Sequence, residues 1–321
     1  MDETINILCA TDNKYAPYCG IMLTSLFENN RGCRFNVYLF VSCDVSQANK
    51  KKFSKLGNEF SHAIELIKID DSMVEMFPLN ESMHISRPTY YRLLVADLLP
   101  QNIHKVIYLD CDIIVCGDIK PLWEQIVEGK ALAGVRDPSD YQAQHWERLG
   151  ASVPFEYFNA GVLVCNMDNW RQSQLLHRVR SYISDNFSRL MLMDQDALNG
   201  LLLGEYERIP LRYNCQLVLF KEYNWNHYPV EIQKTYLEEV WNAVVIHYSD
   251  FEKPWNIRSY GGPFYSLWHK YRRMSLWRTC IETKPIMKIV RHLVKRHIFP
   301  RIFRKQRQDW VVIPENEMYY R

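Results

Sequence analysis

The chain opens with a regular exchange between buried-strand runs and amphipathic helical runs. Residues 5–11 are almost continuously apolar and short, the mark of a strand covered on both faces. Residues 17–29 carry apolar positions at helical spacing behind a proline, which is preorganised for a first helical turn. The same alternation predicts a strand over 35–42, a helix over 46–60 and a strand over 63–69. A helix over 89–99 closed by Pro100 follows, then a strand over 105–109 and extended chain over 113–116 before the Gly117-Asp118 turn. Further on the alternation loosens. Strands are expected over 131–135, 161–166 and 244–248, and helices over 170–187 and 194–203. This order is that of an α/β domain with a mostly parallel central sheet covered by helices. It is expected to span residues 1–260 and to end at Gly261-Gly262-Pro263, followed by a helical, basic C-terminal region over 261–321.

Length and composition narrow the class. A chain of 321 residues, 47% hydrophobic and 24% charged, is long enough for a large core. Its start lacks the charged and apolar regions of a secretory leader, and no run approaches the roughly 18 apolar residues that span a bilayer. The nine cysteines are odd in number and mostly embedded in apolar runs, as reduced core thiols are; no second Cys/His pair follows Cys111 and Cys116 at zinc-ligand spacing. A cytoplasmic protein is expected. The net charge of +2 conceals an asymmetry: residues 284–307 hold nine Lys/Arg and no acid, leaving 30 basic against 37 acidic residues elsewhere. Within this stretch Ile286, Ile289, Val290, Leu293 and Val294 recur at helical spacing among basic residues. That pattern suits the surface of an anionic bilayer, or alternatively a C-terminal helix docked on the domain with a solvated basic face. Nucleic acid is disfavoured, because the body is acidic and no recognition motif accompanies the charge.

Candidate chemistry begins at Tyr108-Leu109-Asp110-Cys111-Asp112. Two carboxylates one residue apart at a strand end share a face and, with a slight bend, can reach one divalent cation; the site would be hard and oxygen-rich, suiting Mg²⁺ or Mn²⁺ bridging to a diphosphate. Alone, such a pair is also common at solvated strand ends. His247, at the end of another predicted strand, would shift the preference toward Mn²⁺, and Lys253 could add a cation. Taken singly, His247 reads more often as a satisfied, partly buried histidine.

Several segments, in order, resemble glycosyltransferase family 8, and within it the bacterial lipooligosaccharide galactosyl- and glucosyltransferases. They are Cys9-Ala10-Thr11-Asp12-Asn13-Lys14-Tyr15, His84-Ile85-Ser86 with Thr89-Tyr90-Tyr91-Arg92, Tyr108 through Asp112, Tyr157-Phe158-Asn159-Ala160-Gly161-Val162, Asp194-Gln195-Asp196-Ala197-Leu198-Asn199-Gly200, and His247-Tyr248 with Lys253-Pro254-Trp255. The resemblance implies a GT-A type nucleotide-binding domain, Mn²⁺ dependence (Mg²⁺ as the substitute), and transfer of glucose or galactose from a UDP-sugar to a glycan or glycolipid acceptor with retention. It implies Asp110, Asp112 and His247 as metal ligands. Ala10, Asp12, His84, Arg92, Cys111 and Lys253 would contact the donor along with the two aspartates. Asp137, Asn159, Asp194 and Gln195 would lie at the transferred sugar. The chain departs from the family pattern at Asp250, where glycine is usual, and at Lys14, where asparagine is common. The competing reading is a UDP-sugar-binding protein or hydrolase that has lost transfer.

Overall fold

The computed structural model describes residues 4–78, 87–141, 145–220, 228–249, 253–255 and 264–280. In chain order these form β1 (Thr4–Thr11), α1 (Ala16–Asn29), β2 (Arg34–Val41), α2 (Gln47–Phe60), β3 (Ala63–Lys68), α3 (Val95–Leu98), β4 (Lys105–Leu109), β5 (Ile113–Val115) and α4 (Lys120–Trp123). They continue with β6 (Leu132–Arg136), α5 (His145–Arg148), β7 (Phe158–Asn166), α6 (Met167–Gln172), α7 (Leu175–Asn186), α8 (Met193–Leu202), β8 (Glu207–Arg208), β9 (Cys215–Gln216), α9 (Val230–Trp241), β10 (Val245–His247) and α10 (Tyr265–Met274).

Among the described residues the main sheet has the order β3-β2-β1-β4-β7-β6-β8, and a small sheet has the order β5-β10-β9. The main sheet is mostly parallel, with β7 running against both of its neighbours. The period of two in each central strand divides the core into two layers. Ile5, Ile7 and Cys9 of β1 and Ile107 and Leu109 of β4 pack with α1 and α10 on one face. Leu8 and Ala10 of β1 and Val106 and Tyr108 of β4 pack with residues of α6, α7 and α8 on the other. Because both faces are covered, β1 reads as an almost continuous apolar run, interrupted at the partly exposed Asn6.

Local chemistry sets the helix ends. The Ser46 hydroxyl accepts the Asn49 N–H at 3.2 Å to start α2, and Ser61, at φ 57°, ends it in the left-handed region. The helix expected over 170–187 is two helices, because Gln174 at φ 51° breaks the run between α6 and α7. The helix expected over 89–99 is largely a 3-10 segment, Arg87–Leu94, ending in the single turn α3. Its tighter winding places Thr89 and Arg92 on one side, where the same carboxylate of Asp194 meets both. Helix α9 has no counterpart in the sequence reading.

Past the first domain's expected end, Phe264, Leu267, Trp268, Tyr271 and Trp277 belong to the same buried cluster as β1 and α1. Trp277 fills the space that the missing side chain of Gly20 leaves on α1: a Cβ there would lie 2.1 Å from its ring. Its indole N–H donates to Asn49 at 2.8 Å. All nine cysteines are free thiols. No helix among the described residues is long and apolar enough to cross a membrane. The basic stretch 284–307, Asp250 and Gly261-Gly262-Pro263 lie outside the described residues.

Candidate active site

The sheet order reverses at β1: β2 and β3 lie on one side, and β4 continues on the other. A crevice opens outside the carboxyl ends of the strands at such a point. Here it is a cleft of about 690 Å³. Its walls carry Ala10, Asp12, Arg92, Asp110, Cys111, Asp112, Asp137, Asn159, Asp194, Gln195 and His247 from the sequence reading. His84 lies outside the described residues. Lys253 reaches the site from behind, through Asp112.

The two aspartates occupy the crossing between sheets. The chain leaves the main sheet at Leu109 and enters the small one at Ile113, so residues 110–112 form the bend between them. Strand β10 pairs with β5 in a register that sets His247 opposite Ile113, and the Tyr248 N–H donates to the Asp112 carbonyl at 2.9 Å. On the other flank the Asp110 N–H donates to the Gly161 carbonyl at 2.9 Å. One ligand atom from each of Asp110, Asp112 and His247 lies within 4.8 Å of the others.

Within this group each carboxylate divides its oxygens. Asp110 Oδ1 accepts from Arg92 Nη2 at 2.9 Å and from the Tyr108 hydroxyl at 2.6 Å, while Oδ2 faces His247 Nε2 at 3.9 Å. Asp112 Oδ2 accepts from Lys253 Nζ at 2.6 Å, while Oδ1 lies 3.3 Å from His247 Nε2. Burial alone would raise the Asp112 pKa. The Lys253 ammonium outweighs it and holds the carboxyl well below the usual range, so Asp112 is an anion at any physiological pH.

The imidazole is oriented from behind. His247 Nδ1 lies 2.8 Å from Asn214 Oδ1, and the Asn214 amide donates to Asn159 Oδ1 at 2.9 Å. With its NH₂ committed to Asn159, Asn214 presents an acceptor to His247. The imidazole proton therefore sits on Nδ1, and the Nε2 lone pair points at two carboxylates. A lone pair and two anions converging in a buried site call for a cation between them. The donor set of two carboxylates and one imidazole fits a divalent ion of the Mn²⁺ or Mg²⁺ type, with a backing hydrogen bond of the kind that tunes metal-bound histidines. Asn214→Leu should weaken Mn²⁺ binding by about 10- to 100-fold, measured by titration calorimetry, while the chain stays folded.

A second polar cluster lies across the cleft. Strand pairing shifts between Gly134 and Val135 in β6–β7, and Asn159, which pairs with Val135 at this irregularity, lines the cleft. Asn159 donates to Asp137 Oδ2 at 3.2 Å. Gln195 has Oε1 on the Ala160 N–H at 2.9 Å and Nε2 on the Tyr157 hydroxyl at 3.2 Å and Asp137 Oδ2 at 3.4 Å. Ser139 donates its hydroxyl and its N–H to Asp137 Oδ1. Arg92 joins the two clusters. It donates to Asp110 and to the Ala160 carbonyl, and its Nε lies 2.9 Å from Asp194 Oδ2 with its N–H directed at the Thr89 carbonyl. Burial raises the Asp194 pKa by more than Arg92 and the Thr89 hydroxyl lower it. Burial would lower that of Arg92, but Asp110 and Asp194 more than reverse it, so the guanidinium is a permanent cation.

Sequence reasoning missed Asn214, Gln216 and the structural role of Gly161. A Cβ on Gly161 would lie 2.3 Å from His247 Cε1 and 2.8 Å from Nδ1, so the imidazole occupies the place of a side chain. Asn214 and Gln216 flank or form the two-residue strand β9, too short to leave a periodic pattern.

Comparison with known proteins agrees with this geometry. The family model of glycosyl transferase family 8 matches residues 6–258. General stress protein A of Bacillus subtilis is 28% identical over 87% of this chain and 96% of its own. A lipopolysaccharide 1,2-glucosyltransferase of Escherichia coli is 26% identical over 92% of this chain and 83% of its own. The crystal structure of galactosyltransferase LgtC with donor and acceptor sugar analogues superposes with a TM-score of 0.75 at 24% identity, covering 88% of this chain and 98% of that one, and so shares its fold. The match over most of the chain, on a fold with its cleft at the sheet's switch point, makes this protein a member of glycosyltransferase family 8.

Proposed function

We propose that the protein is a metal-dependent, retaining hexosyltransferase that moves glucose or galactose from a UDP-sugar to a glycan acceptor, in the synthesis of lipopolysaccharide or another surface glycan. The observation that carries this reading is the convergence of Asp110, Asp112 and His247, one ligand atom of each lying within 4.8 Å of the others. Relatives named as lipopolysaccharide glucosyl- and galactosyltransferases support the substrate class.

In this reading Ala10 and Asp12, at the end of β1, receive the nucleoside. Asp110, Asp112 and His247 hold the metal, which supplies Lewis-acid stabilisation to the departing diphosphate when bound. Lys253 adds a fixed positive charge beside Asp112. Asp137, Asn159, Asp194 and Gln195 form a polar wall suited to reading sugar hydroxyls. Front-face transfer is favoured over double displacement. Asp137 accepts from Ser139, Asn159 and Gln195, and Asp194 is engaged by Thr89 and Arg92, so neither is a poised nucleophile. Gln195 is an amide with both ends hydrogen-bonded. The acceptor hydroxyl then forms the new bond to the anomeric carbon as the bond to the diphosphate breaks, and its proton passes to a diphosphate oxygen.

Incubation with UDP-glucose or UDP-galactose, Mn²⁺ and an array of glycan acceptors tests this reading: a glycosylated product is expected. Release of free hexose with no glycosylated product would favour a hydrolase. Gln195→Ala should lower turnover by about 100-fold with little change in Mn²⁺ affinity, since it unfixes the sugar wall without touching the metal group. Residues 284–307 are proposed to attach the enzyme to an anionic membrane surface. Sedimentation with anionic vesicles should lose a chain ending at residue 282 and retain the full one.

A further inference from the structure

Gln216 takes no part in the assignments above. It is 5% exposed, it lines the cleft, and its Nε2 has no hydrogen-bond partner among the described residues. A buried amide N–H₂ left unpaired loses its hydration with nothing in return, which marks the group as one that a bound molecule satisfies. Its orientation is fixed: Ser249 donates its hydroxyl to Gln216 Oε1 at 3.0 Å, which leaves the NH₂ end free.

The position of the amide follows from strand register. Gln216 pairs with His247 across β9–β10, and His247 pairs with Ile113, beside Asp112, across β10–β5. Asp112, His247 and Gln216 therefore follow one another across the small sheet. The nucleoside end of the cleft, at Ala10 and Asp12, lies beyond Asp110 at the opposite end of this row, since β1 neighbours β4 in the main sheet. A nucleoside diphosphate laid from β1 across the metal-binding group reaches Gln216 with its terminal phosphate.

We propose that Gln216 is a substrate-positioning residue whose amide N–H₂ donates to an oxygen of the β-phosphate of the bound nucleotide. The inference rests on the hexosyltransferase reading and adds to it a contact that sets the orientation of the phosphate bearing the transferred sugar. A neutral donor to an anionic oxygen suits this place, because it steadies the leaving group without repelling the adjacent metal ion.

Calorimetric titration of UDP and UMP at saturating Mn²⁺, for the wild type, Gln216→Met and Gln216→Glu, tests it. Gln216→Met keeps the shape and removes the donors. It should bind UDP about 10- to 100-fold more weakly while its UMP and Mn²⁺ affinities and its melting temperature stay close to wild type. Gln216→Glu, which sets a carboxylate against phosphate, should lose at least as much. UDP affinity within twofold of wild type in Gln216→Met would overturn the assignment. An equal loss for UMP and UDP would also overturn it, since that reports a disturbed cleft and no β-phosphate contact. A wild type with no Mn²⁺-dependent UDP affinity would fail at the earlier step, removing the hexosyltransferase reading and this ligand with it.

Discussion

Asp112→Asn is expected to reduce Mn²⁺-dependent hexose transfer by about 10³-fold or more while leaving the chain folded. The substitution preserves shape and the hydrogen bond from Lys253 Nζ, so packing around the bend at 110–112 is retained. What it removes is the anionic charge that faces His247 Nε2 at 3.3 Å. A metal ligand contributes several kcal/mol to stabilising the leaving group, and each 1.4 kcal/mol is about tenfold in rate. A radiolabelled transfer assay across a range of Mn²⁺ checks the rate, and calorimetry checks that the metal affinity falls with it. Activity undiminished at low Mn²⁺ would remove Asp112 from the metal group.

Asp196→Ala should destabilise the fold by about 3–5 kcal/mol, because it removes a fully buried carboxylate and strips the partly buried Arg148, the Tyr157 hydroxyl and two backbone N–H groups of their acceptor. The Asp196 carboxylate accepts from both Arg148 nitrogens at 2.7 Å, from the Tyr157 hydroxyl at 2.6 Å, and from the Met191 and Leu192 N–H groups at 2.6 and 2.8 Å. Those last two contacts fix the start of α8, and the Tyr157 hydroxyl in turn accepts from Gln195. The same residue therefore steadies Gln195, through Tyr157, from outside the cleft. Burial pushes the Asp196 pKa up, but the Arg148 and Tyr157 hydrogen bonds outweigh it and leave it below the usual carboxylate range. A depressed folded-state pKa contributes stability above the unfolded value, and that contribution is lost as pH falls through the folded one. Acid unfolding of the wild type should therefore steepen below about pH 4, near the unfolded carboxylate value. In Asp196→Asn that part of the pH dependence should be absent. An unfolding curve of Asp196→Ala that matches the wild type at neutral pH would contradict the role given to this pair.

The parts of the molecule that were legible in the sequence are those where one period dominates. β1, α1, β2 and α2 are long and strongly patterned, the edge strand β3 follows them in the expected place, and together they imply the open α/β sheet. The strand ends that carry Asp110, Asp112 and His247 were readable because ionisable residues directly behind apolar runs are conspicuous. The errors fall where tertiary contacts override local pattern. The segment at Arg87–Leu94 winds as a 3-10 helix where Thr89 and Arg92 share the Asp194 carboxylate, and residues 170–187 break at Gln174. Asn214 and Gln216 carried no signal, because their importance comes from register with His247 across a two-residue strand, a relation that exists only after folding. Gly161 was visible in a motif, yet its reason, the space taken by the His247 ring, is a long-range packing fact.

The measurement that tests the central claim most directly is an anomalous difference map at the manganese edge from crystals grown with Mn²⁺ and UDP. The account predicts one strong peak at coordination distance from a carboxylate oxygen of Asp110, a carboxylate oxygen of Asp112 and Nε2 of His247. No peak there, or a peak that leaves His247 bonded through Nε2 to a carboxylate, would contradict it.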